Sequence, residues 1–321
     1  MRAAVVRAFD APPQVQEFEE PTAQAGETIV SVTAAALSWL TLSRSSGQHY
    51  SANARPPFVA GVDGVGTTPA GQRVYFARPR PPFGALAERV PVPVDALVPL
   101  PEGLDDATAA AAALAGMASW VPLTRIAPVG PGGSVLINGA TGAAGHAAVQ
   151  AARFLGAAHV LVAGRDAAGL EALSVLGATR AIPHTDPWGA FQEALRAAAR
   201  ATSLSVVLDY LWGPSAEAIL GALGGRDPPR GAARLRYVEV GAATGETVRL
   251  SGALLRGSGL ELRGSGLGSL PDAELRAGIG EFFQAAASAR FRFDSQVVPL
   301  AEIAERWGAT GGSRRIVFTI A

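Results

Sequence analysis

Residues 134–165, SVLINGATGAAGHAAVQAARFLGAAHVLVAGR, constrain the fold more than any other stretch of this chain. A short apolar strand at 135–137 runs into a turn carrying Gly139, Gly142 and Gly145. A helix closing at Gly156, a second strand at 160–163 and the pair Gly164-Arg165 follow. Strand, turn, helix and strand in this order is the layout that binds a dinucleotide. Each glycine has a physical reason to be there. The turn reverses in few residues, the backbone approaches a diphosphate with no side chain in the way, and the helix packs closely on its strand. The spacing is GxxGxxG and departs from GxGxxG, so the assignment rests on the strand before it and the helix after it. Unpaired amides opening the helix, near Gly142, Ala143 and Ala144, then face phosphate oxygens with the positive end of the helix dipole behind them.

The end of the second strand chooses between cofactors. Selectivity for NAD usually places an Asp or Glu there, about 20 residues past the glycines, to accept hydrogen bonds from the ribose hydroxyls. This chain has Gly164 and then Arg165. With no carboxylate to repel it and a guanidinium to pair with it, a 2′-phosphate is favoured, which points to NADPH. Asp166 could reach a ribose, but its expected role is N-cap of the helix that carries Leu170, Leu173 and Leu176.

At 321 residues, two domains are expected. Acidic and basic residues balance at 27 each, which gives no electrostatic reason to expect nucleic acid or an anionic membrane as partner. A small, mostly uncharged substrate fits better. Cysteine is absent, so disulfides and thiolate metal sites are excluded and a cytoplasmic location is expected. The apolar run in MRAAVVRAFD is too short for a signal peptide. The uncharged run 107–123 falls short of a membrane-spanning length, contains Pro122, and reads as a buried helix. All basic side chains are Arg, so no lysine can act as a catalyst.

The first hundred residues read as strands at 3–6 and 27–34, with proline or glycine punctuation and no sustained helical period, hence an irregular β-barrel-like domain. From Pro101 the texture changes to a turn, an acidic helix start at Asp105-Asp106 and an alanine-packed helix. Strands and helices then alternate: helices at 166–176, 188–201 and 214–223, strands at 181–182, 204–209 and 234–240. Such alternation builds a parallel sheet wound on both faces. The segment 224–233, GGRDPPRGAA, reads as a loop. A strand at 259–263, a helix at 272–289 and a closing strand, helix, strand run at 296–320 follow, and periodicity leaves open which sheet the last strands join.

In chain order, PPFVAGVDGVGT from Pro56, GQRVYF from Gly71, GALAERVPVPVDALVPLPEGL from Gly84, GMASW from Gly116, VLINGATGAAGHAAVQAARFLGA from Val135, VVLDYLWG from Val206, VEVGAATG from Val238 and SRRIVF from Ser313 resemble the medium-chain dehydrogenase/reductase superfamily in its zinc-free quinone oxidoreductase branch. The resemblance runs the length of the chain. It implies an α/β protein with a GroES-like β-rich catalytic domain in residues 1–118, a Rossmann domain with a doubly wound parallel sheet binding NADPH in 119–264, and a C-terminal part completing the catalytic domain in 265–321. It also implies a cofactor cleft between the domains and a homodimer. Carried over residue by residue, Gly139, Thr141, Gly142, Ala143, Ala144 and Gly145 fall on the phosphate turn, and Gly164 and Arg165 on the 2′-phosphate position. His184 falls where a tyrosine often stands near that phosphate, and Gly241 and Ala242 fall on the loop beside the nicotinamide. Ser38 stands in place of a common asparagine, and Tyr50 matches a tyrosine near the substrate.

Departures from the family pattern bear on the chemistry. Zinc-dependent relatives need cysteine ligands that this chain lacks, and His49, His146, His159 and His184 show no paired spacing. Asp63, near an acidic ligand position, reads as support for a turn. Ala118-Ser119 replaces the usual Thr-Ala, shifting an expected hydrogen bond near the cofactor to Ser119. The expected reaction is hydride transfer from NADPH to a quinone or an α,β-unsaturated carbonyl without a metal, with Tyr50 donating the hydrogen bond or proton to the acceptor oxygen and Ser38 assisting. His49 reads as a solvent-facing neighbour of Tyr50, and Asp209 as the residue ordering the loop below the cofactor. Two alternatives stand beside this reading: an enoyl-thioester reductase of the same superfamily, and a non-enzymatic NADPH-binding structural or regulatory protein.

Overall fold

The computed structural model describes residues 1–52, 54–224, 234–309 and 311–320. The expected loop 224–233 therefore lies, apart from Gly224, outside the described residues. The chain forms two compact units, Met1–Leu114 with Phe283–Ala321, and Ala115–Phe282. The divisions fall inside helices, whereas the sequence reading drew them at 118/119 and 264/265.

The first unit opens with β1 (Arg2–Val6), β2 (Gln14–Glu17) and β3 (Glu27–Ala36). A short helix, α1 (Trp39–Ser45), departs from the expectation of a region without helices. It is too short for a period to show in sequence, and what starts it is a cap: Ser38 Oγ accepts from the Thr41 amide at 3.0 Å. β4 (Phe58–Val59), β5 (Asp63–Thr67), β6 (Arg73–Ala77), β7 (Arg89–Pro93) and β8 (Leu97–Pro99) follow. Asp63 thus begins a strand and does not support a turn; its partner across the ladder is Ala77.

α2 (Asp106–Val121) starts where the acidic pair predicted, with Asp105 Oδ1 accepting from the Thr108 amide at 2.9 Å. Arg73 and Thr33 both bond the Asp106 carboxylate and fasten the helix start to the sheet. Helical structure continues past Pro122 to Ile126 as a π-turn, in which the Ala127 amide reaches Pro122 O at 2.8 Å. Proline cannot donate, and the wider turn is how the chain passes it. The helical run Asp106–Ile126 is long and apolar enough to cross a membrane, yet 67% of its apolar window is buried within the protein, which fits the reading of a core helix.

The second unit alternates strictly: β9 (Ser134–Asn138), α3 (Ala143–Phe154), β10 (His159–Gly164), α4 (Ala167–Ala172), β11 (Arg180–Pro183), α5 (Gly189–Thr202), β12 (Val206–Asp209), α6 (Gly213–Leu223), β13 (Arg236–Glu239), α7 (Gly252–Ser258) and β14 (Glu261–Gly264). All its strand pairs are parallel, in the order β11-β10-β9-β12-β13-β14. Outward from β9 that is the doubly wound dinucleotide-binding order, with the direction of progression reversing between β9 and β12. Every residue of β9 is buried, as expected of a central strand covered on both faces. Leu136, Leu161, Val207 and Tyr237 from the sheet join Phe191, Leu195, Ile219 and Leu220 from α5 and α6 in one core cluster.

After α8 (Asp272–Ser288), β15 (Ser295–Pro299), α9 (Ile303–Arg306) and β16 (Arg315–Thr319) return to the first unit. β16 pairs antiparallel with β3, in the sheet β15-β16-β3-β5-β6-β8, with β7 also on β3. A smaller sheet, β2-β1-β4, contributes Ala4, Val5 and Val59 to one core cluster with Val30, Phe76 and Phe318 of the larger sheet. The closing strands thus complete the sheet of the first unit, which periodicity alone left undecided.

Candidate cofactor and substrate sites

Because the strands of the second unit run parallel, their carboxyl ends share one edge. Register sets Ala163, Asn138, Asp209 and Glu239 side by side in a row along it. Open parallel sheets take ligands outside this edge, at the point where strand order reverses. Here that point is the junction of Asn138 and Asp209.

Gly139 leaves β9 at φ +85°, and its amide and that of Ala140 both donate to Ala163 O, at 2.9 and 3.2 Å. Gly142 is the N-cap of α3 and has no side chain to satisfy the helix amides; the first amide to bond back is His146, to Gly142 O at 2.9 Å. The amides of Ala143, Ala144 and Gly145 therefore have no acceptor within the helix and carry its positive end. A Cβ on Gly145 would stand 2.3 Å from Ala140 O, so only glycine lets α3 lie against the turn. This stripped, amide-lined turn fits a diphosphate by its backbone alone.

Thr141 leans toward the next strand end, with Oγ1 3.9 Å from where a Cβ of Gly164 would lie. Gly164 is buried and Arg165 beyond it is exposed. Asp166 caps α4, accepting from the Gly169 amide at 3.0 Å, so the competing carboxylate is tied to its own helix as expected. The glycine turn, Gly164 and Arg165 are thereby gathered at one corner of the edge.

His184 is held there too, its amide donating to Gly164 O at 2.8 Å. Its ring, however, is turned inward. Nε2 lies 3.0 Å from Asn138 Oδ1, and Phe191 and Trp188 flank the ring with centroids 5.0 and 5.1 Å away. Burial, and then the charge of Arg165, push the imidazole down to about 4. The ring is neutral at pH 7, and because the asparagine oxygen can only accept, Nε2 carries the proton and donates.

Asn138 donates in turn to Asp209 Oδ1 at 2.7 Å and to Ser215 Oγ at 2.9 Å. Asp209 Oδ1 also accepts the amides of Leu211 and Trp212, at 2.9 and 3.2 Å, while Oδ2 accepts the Tyr237 hydroxyl at 2.5 Å. Burial raises the pKa of this carboxyl and these donors pull it back. Asp209 does order the loop after β12, and it reaches further. Its main-chain oxygen accepts the amides of Val240 and Gly241, at 2.8 and 3.2 Å, and Thr244 Oγ1 donates to Leu211 O and Trp212 O. Gly241 and Ala242 are thus carried by a loop fastened to the end of β12. Sequence reading did not find this network: the side-chain bonds of Asn138 at its centre span 46 to 77 residues and share no local motif. The Ser119 hydroxyl, expected to face the cofactor, is fully buried and bonds Ala115 O of its own helix.

Ser38 and Tyr50 belong to the first unit. Ser38 is buried, accepts the Thr41 amide and directs its hydroxyl hydrogen to Thr41 Oγ1 at 3.0 Å. Tyr50 is 76% exposed, stacked on His49 with ring centroids 4.2 Å apart. His49 Nδ1 faces the amide and hydroxyl of Ser51, and burial, then Arg44, lower its pKa. Beside this loop lies a cavity of about 50 Å³ bordered by Arg44, Ser45, Phe58, Ala60, Pro81 and Phe83 among others. Asp63 is buried, with Oδ2 accepting from Tyr75 at 3.2 Å and Oδ1 without a hydrogen-bond partner among the described residues. Burial holds its carboxyl up at about 7.

No family model matches the chain. It is 32% identical to a phenolphthiocerol/phthiocerol polyketide synthase subunit of Mycobacterium tuberculosis over 55% of its own length, and it spans 8% of the length of that relative. It is 29% identical to a probable NADPH-dependent quinone reductase of Emericella nidulans, with 99% of each chain covered. Among solved structures, the quinone oxidoreductase from Thermus thermophilus, studied alone and in complex with NADPH, is 30% identical over the whole of both chains with a TM-score of 0.81.

Proposed function

Since the chain belongs to the quinone oxidoreductase branch of the medium-chain dehydrogenase/reductase superfamily, we propose that it is an NADPH-dependent oxidoreductase that delivers hydride to a quinone or an α,β-unsaturated carbonyl without a metal. The observation that carries this reading is the turn from Gly139 to Gly145, with its helix amides unpaired and Arg165 one strand away. Gly139, Thr141, Gly142, Ala143, Ala144 and Gly145 would hold the diphosphate, Gly164 and Arg165 the 2′-phosphate, and Gly241 and Ala242 would border the nicotinamide. NADPH, when bound, supplies the hydride.

The rest of the chemistry falls to the protein. A conjugated acceptor is already electrophilic, so what it needs is alignment and a hydrogen bond to its oxygen as charge develops there. Tyr50 is our candidate for that donor. Ser38 contributes by shaping α1, since its hydroxyl hydrogen is directed to Thr41. The metal-free reading follows from the sequence, which has no cysteine to serve as a zinc ligand. We further propose a homodimer in the cytoplasm.

The test is turnover: nicotinamide absorbance followed with NADPH and a panel of quinones, enals and an enoyl thioester, with and without chelator. Turnover of quinone or enal that survives chelator is expected. Turnover of the thioester alone would replace the acceptor class, tight NADPH binding without any turnover would favour a binding protein, and loss of activity with chelator would overturn the metal-free mechanism.

A further inference from the structure

We propose that Asn138 is the centre of a positioning device: through His184 on one side and Asp209 on the other, it ties the pocket for the 2′-phosphate to the loops beside the nicotinamide, so that the 2′-phosphate contributes to turnover and not to affinity alone. The inference rests on the NADPH reading above and adds a role for its 2′-phosphate that affinity does not require.

The geometry makes the link obligatory. Asn138 is fully buried, and its amide group is completely engaged, Oδ1 by the His184 Nε2 proton and the two amide hydrogens by Asp209 and Ser215. If the His184 ring shifts, Oδ1 is left unpaired in the interior unless the amide moves with it. An amide that moves disturbs its bond to Asp209. A buried unpaired polar atom is costly, so the ring, amide and carboxylate hold one arrangement together.

At the far end, that arrangement holds a strained segment. Trp212 has φ +56°, unusual for a side chain of its size, and it is kept there by the Asp209 carboxylate on its amide and by Thr244 Oγ1 on its oxygen at 3.1 Å. Such a conformation persists only where several contacts over-determine it. Gly213 follows at φ +57°, packed so closely that a Cβ would stand 2.9 Å from Thr244 O. The segment 210–213 and the loop 241–245 therefore keep or lose their mutual placement as one body. At the near end, His184 is pinned to Gly164 O, next to Arg165, whose charge already acts on the ring. A phosphate paired with Arg165 would fix the backbone at Gly164 and Arg165 to which His184 is tied, and so steady the ring against Asn138.

The groups concerned do not touch the reacting atoms; they act through the loops and are positioning residues. Their signature is a split between kcat and KM. Saturating steady-state kinetics with NADPH and with NADH, together with nicotinamide fluorescence titration, would read it on the full chain. In the wild type, kcat with NADPH should exceed kcat with NADH by about threefold or more, and His184→Phe should reduce that ratio to about one while the KM for NADPH stays within about threefold. His184→Gln, whose amide can replace the Nε2 donor, should restore the ratio. Thr244→Val, at the exposed far end and outside the core, should lower kcat with both cofactors by about threefold at unchanged NADPH affinity. A loss in His184→Phe confined to KM, no rescue by Gln in a variant that unfolds at the wild-type temperature, or an unchanged kcat in Thr244→Val would each overturn the inference. Failure of the wild type to bind NADPH would sink the cofactor reading itself; binding with equal kcat for both cofactors would sink only this one.

Discussion

Two buried carboxylates show how differently the two units are built. Asp209 in the second unit is surrounded by donors on both oxygens, and each bond fastens a segment of the sheet edge. Asp63 in the first unit has one weakly held oxygen and one with no partner among the described residues. The same contrast holds for the candidate functional groups. On the cofactor side they are backbone amides and glycine-only positions fixed by parallel strands; on the acceptor side they are an exposed tyrosine on a loop and a serine whose hydroxyl caps the start of a short helix. A dinucleotide presents the same phosphates every time and rewards a rigid cradle, whereas an acceptor site assembled on loops can vary without disturbing the fold.

The contrast can be broken most forcefully at Gly145. Gly145→Val drives a side chain into the Ala140 backbone, and a loss of more than ~3 kcal/mol together with NADPH binding is expected from thermal unfolding and titration. Retained stability and binding would mean that the turn is not the rigid element described.

Asp63 offers a test in the first unit. A carboxyl that keeps its proton up to about 7 in the folded chain, against ~4 when unfolded, stabilises the fold fully below the lower value and loses that contribution as pH rises through the higher one. Wild-type stability should therefore fall by ~4 kcal/mol between about pH 4 and 7, relative to Asp63→Asn, which has nothing to titrate there. Parallel unfolding profiles for the two proteins would show that the carboxyl is not held protonated.

The smallest effects separate cap from catalyst. Ser38→Ala should cost ~1 kcal/mol of stability by removing the α1 cap, with kcat little changed. Tyr50→Phe should leave stability within ~0.5 kcal/mol, since the ring is exposed, and lower kcat. The reverse pattern in kcat would exchange the two roles.

What the sequence made legible follows from where each constraint is encoded. The glycine turn could be read because a backbone that must pass φ +85° and meet another backbone at Gly145 admits little but glycine, and glycine is visible. Asp166 could be read because a cap is a local contact. α1 was missed although Ser38 carried the cap signal, because seven residues give no period. The Asn138 network was missed because each side-chain bond of Asn138 joins β9 to an element 46 or more residues away. An inward-facing His184 and a loop-facing histidine look alike in sequence; what distinguishes them is the neighbour at Asn138.

Paired titrations of wild type and Arg165→Ala with NADPH and NADH bear most directly on the central claim, that the helix amides hold a diphosphate and Arg165 the extra phosphate. Wild type should prefer NADPH, and Arg165→Ala should weaken NADPH by ~1.5–3 kcal/mol while leaving NADH nearly unaffected, as expected for a charge-assisted contact. Equal losses for both nucleotides, or a wild type that binds them alike, would contradict it.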